Sequence, residues 1–131
     1  MMLYLTPTSW SHRYGDGIFT ISQCNATVVE EHKYAQYQIE VRCGDHTKVI
    51  NRRYSEFHQL QTILNQEHIL DEQTIKLFPP KTWFASVDPD FLEQRAGLLH
   101  HWLDTALSSN KLASTHPQVI EFLQLVAVPA T

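Results

Sequence analysis

The sharpest signal along the chain is an alternation. In residues 34–43, YAQYQIEVRC, Ala35, Tyr37, Ile39, Val41 and Cys43 alternate with Gln36, Gln38, Glu40 and Arg42. Successive side chains of a strand point to opposite faces, so this period of two predicts one buried face and one wet face. Upstream, residues 17–31 (GIFTISQCNATVVEE) are rich in β-branched side chains and hold no proline. They predict another strand, with a weak point near Asn25. Downstream, Gly44-Asp45 supplies a turn, and residues 47–52 read as a third strand folding back as a hairpin.

After Arg53 the period changes. Tyr54, Phe57, Leu60 and Leu64 fall at helical spacing with Ile63 beside them, which predicts an amphipathic helix to about Gln66. Residues 67–76 are polar and have no clear period. Phe78-Pro79-Pro80 forces an extended stretch, because each proline fixes its own φ and keeps its predecessor out of the helical region. Asp88-Pro89 is a strong helix start, Asp as N-cap and Pro at the first helical position. The helix that follows, from Pro89 to about Leu107, carries Phe91, Leu92, Leu98, Leu99, Trp102, Leu103 and Leu107. So broad an apolar face belongs at the centre of a core. Ser108-Ser109-Asn110 ends it. Thr115 and Pro117 open a last helix with a stripe of Val119, Phe122, Leu123 and Val126.

Strands come first and helices second. The expected class is α+β: a three-stranded antiparallel β-meander packed against a helical subdomain of three or more helices. Residues 1–16 mix Pro, Ser, Gly and aromatics without a period and read as an irregular lead-in. Residues 17–127 form the domain, and 128–131 a C-terminal tail. A length of 131 residues fits one domain, and 43% hydrophobic against 18% charged residues supplies an ordinary core.

Charge narrows the partners. Ten Lys+Arg stand against fourteen Asp+Glu, a formal net charge of −4. Gripping nucleic acid through many phosphates, or a membrane through a polybasic patch, calls for a basic surface, so neither is expected. An anionic partner must be met by a few placed cations. Cys24 and Cys43 lack CxxC spacing and read as small apolar strand residues. No charged stretch leading into an apolar core opens the chain, and no apolar run approaches the roughly 20 residues of a membrane span. These features predict a soluble chain in a reducing compartment, the cytosol.

Enzyme signatures fail quickly. There is no GxSxG, P-loop, HExxH or GxGxxG. None of the eight histidines sits with another at i, i+4. No catalytic residue, metal or cofactor is expected. What remains is a sparse set of cations beside aromatics. Arg52-Arg53-Tyr54 stands where a strand gives way to a helix, whose N-terminus favours anions. A guanidinium can grip a phosphate with two parallel hydrogen bonds, and Tyr54 offers a flat face to a sugar-like ring. Lys81 follows the stiff Pro79-Pro80 pair. Trp83, Phe84 and Val87 lie in the loop after it, as core plugs or as interfacial anchors. Arg95 is the one basic residue between Lys81 and Lys111. It reads as a residue at the margin of the apolar stripe or as part of an anion site.

These strings together resemble a known family. Arg52-Arg53-Tyr54-Ser55-Glu56-Phe57 resembles the RRYxxF signature of the phox homology (PX) domain. Phe78-Pro79-Pro80-Lys81 is similar to the end of its proline-rich segment. Phe91-Leu92-Glu93-Gln94-Arg95, followed by Leu98 and Leu99, is similar to its FLEQRxxxLxxFL helix. The layout resembles a sorting nexin most.

The resemblance implies a module that binds phosphatidylinositol 3-phosphate on endosomal membranes and serves endosomal sorting. Its location would be cytoplasmic and peripheral on early endosomes. Arg53 would bind the 3-phosphate, Tyr54 would stack under the inositol ring, and Lys81 would reach the 1-phosphate. Arg95 would hydrogen-bond the 4- and 5-hydroxyls. Trp83, Phe84 and Val87 would fall in the membrane-insertion loop.

One position departs from the pattern. Where the family places a proline five residues before the lysine, this chain has Lys76. The PxxP pattern is lost, and no SH3 partner is expected through it. Lys76 becomes an auxiliary cation. Arg52 reads equally as a second auxiliary cation and as an exposed strand-end charge. A protein-interaction module on the same scaffold, with weak or no lipid binding, is the alternative.

Overall fold

The computed structural model describes residues 11–14, 17–29, 34–43, 46–81, 88–109 and 111–125. Strands β1 (Ser11–Tyr14), β2 (Gly17–Val29), β3 (Tyr34–Cys43) and β4 (His46–Arg52) form one antiparallel sheet in the order β1-β2-β3-β4. The alternation in β3 is realised: Tyr37, Ile39 and Val41 are buried while Gln38 and Arg42 are exposed. The expected meander is present with one strand more. Part of the lead-in expected to be irregular pairs with β2, Ser11 opposite Thr20 and Tyr14 opposite Gly17.

β2 does not break near Asn25. Its irregularity lies earlier: Ile21 faces Val41 and Gln23 faces Glu40, so Ser22 is one residue too many. Such a bulge shifts the inward-facing parity of the strand. Phe19 and Ile21 are buried before it and Cys24 after it. The Ser22 hydroxyl donates to the Glu40 carboxylate at 2.8 Å. Burial pushes the Cys24 thiol up to about 12, so it packs as an apolar group.

Helices α1 (Tyr54–Gln66), α2 (Glu72–Leu77), α3 (Pro89–Ser109), α4 (Lys111–Ser114) and α5 (Pro117–Leu123) cover the inner face. α2 falls in a stretch whose sequence shows no clear period. Asp71 starts it by accepting a hydrogen bond from the Thr74 backbone N–H at 2.8 Å, which fills an orphan donor of the first turn. α3 begins as expected, Asp88 accepting from the Phe91 N–H at 3.1 Å. α5 is capped by His116 and not by Thr115: the ring Nδ1 accepts from the Gln118 N–H at 3.1 Å.

The core is a seam of rings and branched chains. Phe57 meets Phe122 edge-on at 4.9 Å and Tyr37 at 6.1 Å, and Phe78 meets Trp102 at 5.0 Å. Leu60, Leu64, Leu99, Leu103 and Leu123 fill in around them, all buried. Leu98 is the exception in the broad stripe of α3, at 42% exposure. α3 is also tied to the sheet by polar contacts. His100 Nε2 lies 2.8 Å from the Ile21 carbonyl beside the bulge, and 3.2 Å from the buried Asp104 carboxylate. Among the described residues no helix is long and apolar enough to cross a membrane.

Candidate functional site

The strand-to-helix joint sets the geometry. β4 ends at Arg52, Arg53 is extended, and α1 starts at Tyr54. The Arg53 N–H is satisfied by the Glu56 side chain at 2.9 Å, the reach-back half of a capping box. Neighbouring residues on an extended backbone point to opposite sides, so the two arginines part company here.

Arg53 is exposed, and its guanidinium lies over the ring of Tyr34 at 4.1 Å from the centroid. Tyr34 opens β3 on the wet side of the alternation. An aromatic on that face is the signal that could have marked it from sequence.

Tyr54 is half-buried. Phe78 lies beside it, with centroids 5.6 Å apart, and His58 at 6.1 Å. Its hydroxyl donates to the Pro79 carbonyl at 2.7 Å. The Arg95 guanidinium covers its ring at 3.6 Å and donates through Nη2 to the Pro80 carbonyl at 3.1 Å. Burial pushes the Tyr54 hydroxyl pKa up, and the Arg95 charge partly opposes that.

The proline stretch is thus held at two successive carbonyls by two of the expected site residues. Lys81 follows directly and is exposed. Periodicity cannot show this tether, because it runs through backbone oxygens of residues that have no N–H of their own.

Arg53, Tyr54, Lys81 and Arg95 therefore line up along one joint between α1, the proline stretch and α3. Among the described residues no carboxylate pairs with Arg53, Lys81 or Arg95.

Arg52 is placed differently. Its Nε donates to the Phe122 carbonyl at 3.0 Å, Nη1 to Asn51 at 3.1 Å and Nη2 to Glu121 at 3.4 Å. Its guanidinium stands 5.4 Å from the Phe122 ring. With its side chain only 17% exposed, it is neither a pocket cation nor a free strand-end charge. It meets the C-terminal carbonyls of α5, the negative end of that helix. Lys76 sits exposed in the last turn of α2. Trp83, Phe84 and Val87 lie outside the described residues. Among those residues no cluster of three His, Cys, Asp or Glu could hold a metal ion.

The family model of the PX domain matches residues 41–125, which spans β4, the joint and α1 to α5. The chain belongs to the PX domain family. Among solved structures, a designed CISK PX domain is 26% identical over 82% of this chain and 98% of its own, with a TM-score of 0.64. The mouse SNX19 PX domain, solved with a bound sulphate ion, is 25% identical over 90% of this chain and 99% of its own, with a TM-score of 0.56. A PX domain is in general a phosphoinositide-binding, membrane-targeting module that associates peripherally and catalyses no reaction.

Proposed function

We propose that this PX domain recognises phosphatidylinositol 3-phosphate and thereby recruits its host protein to early endosomal membranes for sorting. The observation that carries this reading is the joint itself. Three cations without a carboxylate partner among the described residues belong to it, Arg95 over the half-buried Tyr54, Arg53 just before that tyrosine in the chain and Lys81 just after the prolines it tethers, on a chain whose net charge is negative. Such a chain has little attraction for anionic surfaces in general. Its affinity must come from a few directed contacts.

In this reading Arg53 grips the 3-phosphate and Lys81 the 1-phosphate. Arg95 hydrogen-bonds the 4- and 5-hydroxyls, so a phosphate at either position is disfavoured. Tyr54 underlies the inositol ring. Trp83, Phe84 and Val87 add apolar burial in the bilayer, on the strength of their sequence pattern.

Sedimentation with vesicles carrying each phosphoinositide in turn, beside a phosphatidylserine control, tests the assignment. Selective retention by the 3-phosphate lipid is expected. Equal retention by phosphatidylserine alone would remove the specificity. Absence of binding to any lipid would turn attention to a protein partner.

A further inference from the structure

We infer that Tyr34 is a positioning residue for Arg53: its ring holds the guanidinium ready for a phosphate before any ligand arrives. The inference rests on the headgroup reading above and adds a residue to it.

The sheet brings the two side chains together. The β3–β4 ladder ends with Tyr37 opposite Arg52. One step further that register sets Gln36 opposite Arg53, with Tyr34 as the diagonal neighbour. Diagonal neighbours across an antiparallel pair lie within reach of long and aromatic side chains. Tyr34 belongs to the same face of β3 as Gln36 and the exposed Gln38, opposite to the buried Tyr37, Ile39 and Val41. Arg53 is exposed while Arg52 before it is covered. The contact is made on the wet side: the Arg53 guanidinium carbon stands 4.1 Å from the centroid of the Tyr34 ring. A half-buried aromatic among glutamines gains little from the core, so its use lies in what it touches.

What the ring does for the arginine follows from where the donors point. A guanidinium carries five N–H donors, all in its plane. A carboxylate partner would occupy two of them and cancel the charge. An aromatic face attracts the cation and leaves the in-plane donors to a phosphate. Among the described residues no carboxylate pairs with Arg53. An unrestrained arginine gives up its rotamer freedom when it closes on a phosphate. On Tyr34 that freedom is already reduced in the ligand-free protein. Arg95 repeats the arrangement over Tyr54, at 3.6 Å. On a chain of net charge −4, affinity depends on such prior ordering more than on long-range attraction.

Two variants and two probes isolate the ring. Tyr34→Leu removes it and keeps an apolar side chain, while Tyr34→Phe keeps it and removes the hydroxyl. Soluble inositol 1,3-bisphosphate and inositol 1-phosphate differ only in the phosphate assigned to Arg53, and neither involves a bilayer. In Tyr34→Leu, binding of the bisphosphate should weaken about two- to fivefold, the equivalent of one exposed cation–π contact. Binding of the monophosphate should not change. Tyr34→Phe should bind both as the wild type does. In an Arg53→Gln background Tyr34→Leu should have no further effect.

The Arg53 Nε–Hε resonance of the ligand-free protein should carry a ring-current shift that Tyr34→Phe keeps and Tyr34→Leu removes. A residue that merely propped up the strand end would weaken both probes alike, and that result would overturn the inference. So would unchanged bisphosphate affinity in Tyr34→Leu, equal losses in the two variants, equal losses with and without Arg53, or an Arg53 resonance unmoved in Tyr34→Leu. Failure of the wild type to bind the bisphosphate would strike the headgroup reading and take the inference with it. That failure is told apart by the resonance, which still reports the pair without ligand.

Discussion

Arg52 and Arg53 are neighbours in sequence and opposites in use. Around Arg52 three of the five guanidinium donors meet backbone carbonyls, those of Asn51, Glu121 and Phe122, and the side chain is largely covered. Around Arg53 and Arg95 the guanidiniums lie over the rings of Tyr34 and Tyr54, and Arg95 also donates to the Pro80 carbonyl. A cation whose N–H groups already meet carbonyls acts as a strut, and using it elsewhere would uncap a helix. A cation resting on a ring is held by the face of its π system and keeps in-plane donors for a phosphate. The settings differ in how many donors are already engaged, three at Arg52 against one at Arg95 among the described residues.

The strongest way to break this contrast is Arg53→Gln. If Arg53 supplies two charge-assisted hydrogen bonds to the 3-phosphate, vesicle binding should fall at least about 100-fold. The urea midpoint should hardly move, because Arg53 is exposed. Normal binding by this variant would remove Arg53 from the pocket.

Arg52→Met should do the reverse. Stripping the C-terminal carbonyls of α5 of their donor should cost about 1–3 kcal/mol in chemical denaturation. The dissociation constant of the folded protein for inositol 1,3-bisphosphate should stay within a factor of about two, a margin set by experimental scatter rather than by a lost contact. A large loss of affinity in a stably folded Arg52→Met protein would make both arginines ligand-facing.

A smaller effect separates headgroup from bilayer. Trp83→Ala should weaken vesicle binding by several-fold, through lost apolar burial at about 25 cal/mol per Å². Binding of the soluble headgroup should not change.

The smallest effect concerns a third group that fastens by its charge. The hydrogen bond to Asp104 raises the His100 pKa above its ordinary value of 6.5, while burial works against the rise. A raised folded pKa stabilises the protonated folded state. That contribution is fully present below the unfolded pKa and is lost as pH rises through the folded one. The urea midpoint should therefore fall between mildly acidic and mildly basic pH more in the wild type than in His100→Gln. Equal slopes would mean that the pair contributes nothing to stability.

Much of the fold was legible because periods of two and of 3.6 report which face is buried. Tyr37, Ile39, Val41, Phe57, Leu60 and Leu64 are buried as their spacing requires. Where local chemistry and not period decides, the reading was poorer. α2 rests on one Asp71 cap, and β1 on pairing with a partner strand that its own composition does not announce.

At the site, residue types and motif order pointed to Arg53, Tyr54, Lys81 and Arg95, and these stand along one joint. Two things went unread. Tyr34 enters through the sheet, marked only by being an aromatic on the wet face of β3, and the carbonyls of Pro79 and Pro80 enter through the backbone. The use of Arg52 was hidden for the same reason: its acceptors lie 69 and 70 residues away in sequence.

The extra residue at Ser22 has a consequence for how this domain can change over generations. Ahead of it the core receives Phe19 and Ile21; behind it the core receives Cys24, with Ala26 packed against it. Deleting Ser22 would restore an unbroken ladder and leave the far half of β2 facing as it does, because Gln23 already pairs with Glu40 and Cys24 with Ile39. A deletion in the regular stretch beyond the bulge, at Asn25 for example, would instead turn Ala26 toward water and Thr27 inward. Substitutions along this strand can be sampled one at a time, but its length can change by one residue only at the bulge. Single-residue deletions should therefore be tolerated at Ser22 and purged from the rest of β2.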